Sequence, residues 1–124
     1  MLYAILCYNS QEAVGAWTEA EDEAVMGRLD AVHQRLLDAG KLGPAARLGF
    51  TDTARTLLKD TDPPMVVDGP YAETKEQMLG FYVVECADAE AAMDVAKDLE
   101  RANPGVGGYE VRPIRLFIPG AGVS

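Results

Sequence analysis

The sequence is short of histidine, cysteine, serine and positive charge. His33 is the single histidine, and Cys7 and Cys86 are the two cysteines, each inside an apolar segment. One histidine, with no Cys-x-x-Cys and no His-Glu-x-x-His, leaves no transition-metal site in the pattern. The acidic residues lack EF-hand spacing, so no calcium loop is indicated. Neither Gly-x-Gly-x-x-Gly nor a P-loop occurs, so nucleotide cofactors are not indicated and no cofactor is expected. Ser10 and Ser124 are the only serines, and no Gly-x-Ser-x-Gly elbow surrounds them. Two cysteines buried in apolar strands point to reduced thiols in a cytoplasmic protein.

Against 20 Asp and Glu stand 11 Lys and Arg, a net charge of −9. Nucleic-acid binding draws most of its affinity from Lys and Arg on phosphates, so that class of partner is excluded. A polybasic membrane-surface segment is missing too. The longest apolar stretches are strand-length, far below the roughly 20 residues of a membrane span. Met1–Tyr8 has no Lys or Arg before its apolar run and no small-residue cleavage site after it. It reads as a first strand, not a signal peptide.

What is present is ordinary globular composition: 124 residues, 48% hydrophobic and 25% charged. That supports one domain, residues 1–124, with a single core. Leu2–Tyr8 reads as a buried strand. Asn9–Glu12 breaks the pattern, and residues up to Trp17 form a loop or short helical turn. Thr18 and Glu21 have capping-box spacing, and Glu19–Glu23 load the first turn with negative charge. Val25, Leu29, Val32, Leu36 and Leu37 then recur at helical spacing, which predicts a helix from about Glu19 to Ala39 with Gly40 as its C′ residue. Gly43-Pro44 opens a turn. Arg47–Phe50 and Thr53–Leu58 read as short strands, Lys59–Pro64 as a polar turn and Met65–Val67 as a hairpin strand. Asp68–Gln77 is polar and holds Gly-Pro, and Gly80–Cys86 is a strand. Asp88 caps a second helix with Ala92, Val95, Ala96, Leu99 and Ala102 on its apolar face, stopped at Asn103-Pro104-Gly105. Tyr109–Ile118 is the last strand, placed at an edge or bulge by Pro113. Pro119–Ser124 reads as a frayed tail.

This order gives a ferredoxin-like βαββαβ plan with an extra hairpin, an antiparallel sheet with two helices on one face. The other face is an interaction surface by default, and a second copy of the chain is its simplest cover.

Asp68-Gly69-Pro70-Tyr71-Ala72-Glu73-Thr74-Lys75-Glu76, followed by Gly80-Phe81-Tyr82, resembles the signature of the YCII-related family, in the branch named for an Asp-Gly-Pro-Phe motif. Tyr71 stands where that motif has Phe. The closing Glu110-Val111-Arg112-Pro113 resembles the end of the same branch. The resemblance implies a dimeric α/β barrel of two ferredoxin-like subunits, mostly bacterial. It implies either a lyase- or dehydrochlorinase-type enzyme on small cyclic molecules or a regulatory module beside an extracytoplasmic-function sigma factor. The wider family has a proposed His–Asp pair, with the histidine on the first helix. Aligning Asp38–Leu42 with the family's helix end places Leu29 at that histidine's position, so the pair is not transferred to this chain.

The residues themselves allow two readings of the motif. Asp68 can hydrogen-bond its own turn, with Gly69 taking φ > 0 and Pro70 fixing the next φ. Alternatively Asp68 points into a cleft as a general base or ligand acceptor, its pKa raised by like charge from Glu73 and Glu76. Lys75 either pairs with those glutamates or turns inward to bind a carboxylate or phenolate. Tyr71 and Tyr82 either donate to an oxyanion or pack with satisfied hydroxyls. Arg47 and Arg112 either anchor an anionic ligand or pair with acidic neighbours. The candidate set is therefore Asp68, Glu73 and Lys75 as catalytic groups, with Tyr71, Tyr82, Arg47 and Arg112 as ligand contacts. His33 lies near the apolar stripe and reads as a helix residue with a structural hydrogen bond. If Cys7 and Cys86 end neighbouring strands, with the first and third strands adjacent and parallel, they lie close together; buried packing rather than a redox role is the preferred reading.

Overall fold

The structure, a computed structural model, describes residues Met1–Val123; Ser124, the end of the expected tail, lies outside them. β1 (Leu2–Ser10) leads through the short helix α1 (Gln11–Gly15) into α2 (Glu19–Asp38). β2 (Leu42–Arg47), β3 (Arg55–Leu58), β4 (Met65–Asp68) and β5 (Glu76–Glu85) follow, then α3 (Ala89–Ala102) and β6 (Gly107–Pro113). Four strands form an antiparallel sheet in the order β2-β5-β1-β6, while β3 and β4 pair only with each other. With the β3–β4 hairpin set aside, that order is the ferredoxin-like plan.

Local chemistry explains the helices. Thr18 Oγ1 accepts from the Glu21 N–H at 3.1 Å, and the Glu21 carboxylate accepts from the Thr18 N–H at 3.2 Å, so the capping box is closed at both ends. Gly40 takes φ +68° just past the helix end, where a left-handed residue is needed to turn the chain. Asp88 Oδ1 accepts from the Ala91 N–H at 2.8 Å and starts α3. Arg28 of α2 donates to the Ala102 carbonyl at the end of α3, joining the two helices.

The core lies between the helices and one sheet face. Tyr3, Ile5 and Val84 share that face by register, and Val25, Leu29, Val32 and Leu36 of α2 meet Ala92, Val95, Ala96 and Leu99 of α3 over it. Ile5, Val84 and Leu99 are fully buried, each worth about 1.5–3 kcal/mol of hydrophobic stabilisation. The opposite face carries Leu2, Leu6 and Tyr8 of β1, half-buried, opposite Glu85, Phe81 and Met78 of β5.

Several expectations need correction. Gly43 and Pro44 are not a turn but part of β2, which begins at Leu42 and ends at Arg47. β2 is an edge strand, and its pairing with β5 is irregular between Leu42 and Ala45, so a proline without an N–H is accommodated there. Leu48–Phe50 is consequently loop, and Thr51–Thr53 is a 3-10 turn, leaving β3 to begin at Arg55. β5 begins earlier than Gly80, at Glu76, because Asn9 and Ser10 extend β1 to meet it. β6 stops at Pro113; Arg115 and the exposed Leu116 and Ile118 lie beyond it. Pro113 does sit at the end of an edge strand. The two cysteines are both buried but are not neighbours. β1 and β5 are antiparallel, so Cys7 faces Gly80 while the Cys86 N–H donates to the Met1 carbonyl at the other end of β1.

Candidate functional site

A cavity of about 400 Å³ lies between the first half of α2 and the sheet. Its floor is Cys7 and Asn9 of β1, Ala45 and Arg47 of β2, Leu79, Gly80 and Tyr82 of β5, and Tyr109 of β6. Its roof is Val25, Met26, Leu29, Asp30 and His33 of α2, and its outer wall is Val14, Trp17, Leu48 and Phe50.

Three local features produce this space. A bulge interrupts the β1–β5 ladder between Cys7 and Tyr8: Cys7 faces Gly80 and Tyr8 faces Met78. Leu79 is the extra residue: it has no partner on β1, its side chain is buried in the cavity wall, and its carbonyl accepts from the Leu48 N–H. Gly80 keeps the floor low, since a Cβ there would meet the Ala46 carbonyl oxygen at 2.8 Å. The outer wall is tied by Gln11, whose Oε1 accepts from the Thr51 N–H at 2.6 Å and whose Nε2 donates to Thr51 Oγ1 at 2.7 Å. That clasp holds α1 against the 48–54 loop.

The polar centre of the cavity is His33. Its Nε2 is 2.7 Å from the Tyr82 hydroxyl, and its Nδ1 is 3.6 Å from Asp30 Oδ1. The rings of His33 and Tyr82 are tilted, with centroids 5.3 Å apart. The Asp30 carboxylate is beyond hydrogen-bond length and acts by its charge, which favours the tautomer with the proton on Nδ1. Nε2 is then the acceptor and Tyr82 the donor. Burial pushes the Tyr82 phenol well above its ordinary range, helped by Cys7, Tyr109 and Asp30, so Tyr82 keeps its proton. Burial also pushes Tyr109 up to about 12 and the Cys7 thiol up to about 12. Both therefore stay neutral in the floor. The chemistry open to this group is proton transfer at Nε2 with a neutral phenol donor beside it.

The expected site residues divide into two sets. Tyr82 and Arg47 line the cavity. Arg47 sits at its edge, where Nη2 donates to Asp22 Oδ1 at 2.9 Å. Asp68, Tyr71, Glu73 and Lys75 do not line it and are all exposed. The Asp68 side chain is 93% exposed and pairs with Arg55 Nε at 3.4 Å across the β3–β4 hairpin. Tyr71 is 84% exposed. Gly69 does take φ +105°, and its N–H donates to the Ala54 carbonyl, so the Asp-Gly-Pro segment forms a turn. Behind that turn the buried Gln77 amide donates to the carbonyls of Ala72 and Thr74. Arg112 is exposed, with Nε 3.8 Å from Glu110 Oε2 on the same strand.

His33 does have the hydrogen bond expected of it, but its partner places it in a cavity. The signal was the Asp30-x-x-His33 spacing, which puts carboxylate and imidazole on one helix face beside Leu29. Among the described residues no group of three or more His, Cys, Asp or Glu is arranged to hold a metal ion, and no helix is long and apolar enough to cross a membrane.

The fold and cavity define a small α+β protein with an internal His–Tyr hydrogen-bonded pair. The sequence profile of the YCII-related domain matches residues 1–118. A protein of Rhizobium meliloti (strain 1021), itself described as uncharacterised, is 53% identical over 120 residues, 97% of each chain. The chain belongs to the YCII-related family.

Proposed function

We propose that this protein binds a small molecule in the cavity under α2 and acts on it by cofactor-free acid–base chemistry, in the manner of a lyase or isomerase. The observation that carries this is the His33–Tyr82 contact of 2.7 Å inside an apolar cavity of about 400 Å³. Cavities of that size, lined by apolar groups with few polar ones, are the usual form of a small-molecule site. A ligand oxygen placed beside Tyr82 takes the phenol's hydrogen bond. That frees His33 Nε2 to accept a proton from the ligand, with Asp30 stabilising the imidazolium that forms. Tyr82 stabilises the negative charge that develops on the ligand oxygen. Arg47 orders the mouth through Asp22 rather than reaching the centre.

The Asp68–Glu76 segment, with Gly80–Tyr82, supports membership of the Asp-Gly-Pro-Phe branch. The ion pair of Asp68 with Arg55 and the tether from Gln77 support a turn-forming role for Asp68, Glu73 and Lys75 in this reading. The test is chemical-shift mapping of a fragment collection on labelled protein. The proposal expects hits on His33, Tyr82 and Trp17 that vanish in His33→Ala and Tyr82→Phe. Hits confined to Asp68–Lys75 would transfer the site to the turn and sink the cavity reading.

The same proposal includes a homodimer through the open sheet face. The half-buried Leu2, Leu6, Tyr8 and Phe81, with Met78, form an apolar strip there with no layer of helices over it. Light scattering should give twice the 13.3 kDa chain mass. A clean monomer at tens of micromolar would refute it.

A further inference from the structure

We infer that the cavity selects an uncharged ligand: an apolar body with a hydroxyl or carbonyl head, bound head-inward at His33 and Tyr82. This rests on the cavity being the binding site.

The charges around the cavity decide it. Arg47 is the one cation in the lining and Asp30 the one carboxylate. Arg47 is already committed, with Nη2 on Asp22 at 2.9 Å and Nη1 on Met26 Sδ at 3.5 Å. An anionic ligand seeking that guanidinium must displace Asp22 and then sit beside the carboxylate it displaced. Asp22 and Asp30 outnumber Arg47 at the mouth, and the whole chain carries −9, so the field at long range repels anions as well. A cationic ligand fares no better inside. Asp30 is three-quarters exposed and faces His33, so its charge lies at the solvent side of the helix, not in the interior. Past that point the walls are Val14, Trp17, Leu29, Leu48, Phe50 and Leu79. None of these solvates a charge, and burying one without a partner is costly.

The hydrogen-bonded polar pair of the lining is His33 with Tyr82, and the other neutral polar side chains there are Asn9, Asn103 and Tyr109. Tyr82 and His33 satisfy one another, and no buried polar side-chain atom among the described residues is left without a partner. Every polar partner there except Arg47 and Asp30 is neutral, which suits hydroxyls and carbonyls and leaves an ionic head without a counter-charge. A ligand with such a neutral head exchanges the Tyr82–His33 bond for two bonds to itself and gives its remaining surface to the apolar wall.

The fold supplies its own reporter, because Trp17 is the single tryptophan and lies in the cavity wall. The experiment titrates the protein at pH 7.5 with three cages that differ only in charge: 1-adamantanemethanol, 1-adamantanecarboxylate and 1-adamantanemethylammonium. Trp17 fluorescence is read throughout. The expected result is saturable binding of the alcohol, about tenfold or more tighter than either ion, and lost in Ala45→Phe. Ala45 is an exposed residue of the floor opposite Tyr82, so a large side chain there fills the cavity without entering the core; Ala45→Leu serves if Ala45→Phe does not fold. Binding of the carboxylate equal to that of the alcohol, and lost in Arg47→Met, overturns the inference in favour of an anionic ligand. Equal binding of the ammonium overturns it in favour of a cationic one. In both cases sensitivity to Ala45→Phe leaves the cavity itself standing as the site. If no cage binds, or binding is indifferent to both Ala45 variants, the cavity reading falls and the inference with it.

Discussion

Alkali should attack this fold first at Cys7. The thiol lies on β1 opposite Gly80 and is 7% exposed, and burial moves it from its ordinary 9.0 up to about 12. In the unfolded chain nothing holds it there. A folded pKa above the unfolded one means the stabilisation is complete below pH 9 and is lost as pH rises through 9 towards 12. Above the unfolded pKa the loss runs at about 1.4 kcal/mol per pH unit, reaching about 4 kcal/mol near pH 12. Cys86 is also raised by burial, partly offset by Lys41 and the N-terminus, and it adds to the slope. Tyr82 and Tyr109 ionise in the unfolded chain only nearer pH 10. The interval from pH 9 to 10 therefore belongs mainly to the thiols. Urea unfolding followed by far-ultraviolet circular dichroism, under reductant at half-unit steps from pH 7 to 10.5, measures it. Wild type should be level to about pH 8.5 and then fall. Cys7→Ala should start lower, from the lost packing, and fall with a visibly shallower slope. Parallel profiles for Cys7→Ala and wild type would refute the reasoning, because they would mean that the thiol ionises as freely in the fold as outside it.

Three further outcomes follow from the geometry. Thr18→Ala opens the capping box of α2 and should cost about 1 kcal/mol in the same urea assay, while a loss below a few tenths would show that the cap is not needed. Gly107→Ala should cost at least about 3 kcal/mol or prevent folding, since Gly107 has φ +131° and its Cβ would lie 2.0 Å from the Tyr8 carbonyl oxygen; Gly108→Ala, with open space around it, is the matched control and should melt like wild type. Arg112→Gln should change stability by no more than about 0.5 kcal/mol, since its partner Glu110 is 3.8 Å away and both side chains are exposed; a drop above 1 kcal/mol would reveal a contact not seen here.

Much of the fold was legible because its signals are local. Thr18 and Glu21 announce α2, Gly40 ends it, and Asp88 starts α3, each through bonds reaching three or four residues. The β2 boundaries were not legible, because Gly43-Pro44 normally breaks a strand and only an edge position with irregular register accommodates it. The parallel placement of Cys7 and Cys86 failed for a different reason: in an antiparallel βαββαβ sheet the first strand and the one before the second helix run in opposite directions, so the plan itself sends the two cysteines to opposite ends of β1. Of the residues singled out by type, Tyr82 and Arg47 line the cavity. The motif at Asp68–Lys75 drew attention by its chemistry, yet its side chains point to solvent. His33 was read only as a helix residue with a structural hydrogen bond; its spacing to Asp30 went unread, and its partner Tyr82 is 49 residues away. Only the register of β5 against β1 and β2 puts that phenol beneath α2.

The bulge at Leu79 makes one position of β5 behave differently when the chain changes length. Removing Leu79 alone leaves every other cross-strand partner in place, with Cys7 still opposite Gly80 and Tyr8 still opposite Met78. Removing any residue from Phe81 to Val84 instead slips the ladder by one and turns the strand's side chains to the wrong face. Leu79 is thus surplus to the β1–β5 ladder; its side chain belongs to the cavity wall, and its carbonyl accepts from the Leu48 N–H at 2.9 Å. A single-codon deletion at this point resizes the cavity without redrawing the fold.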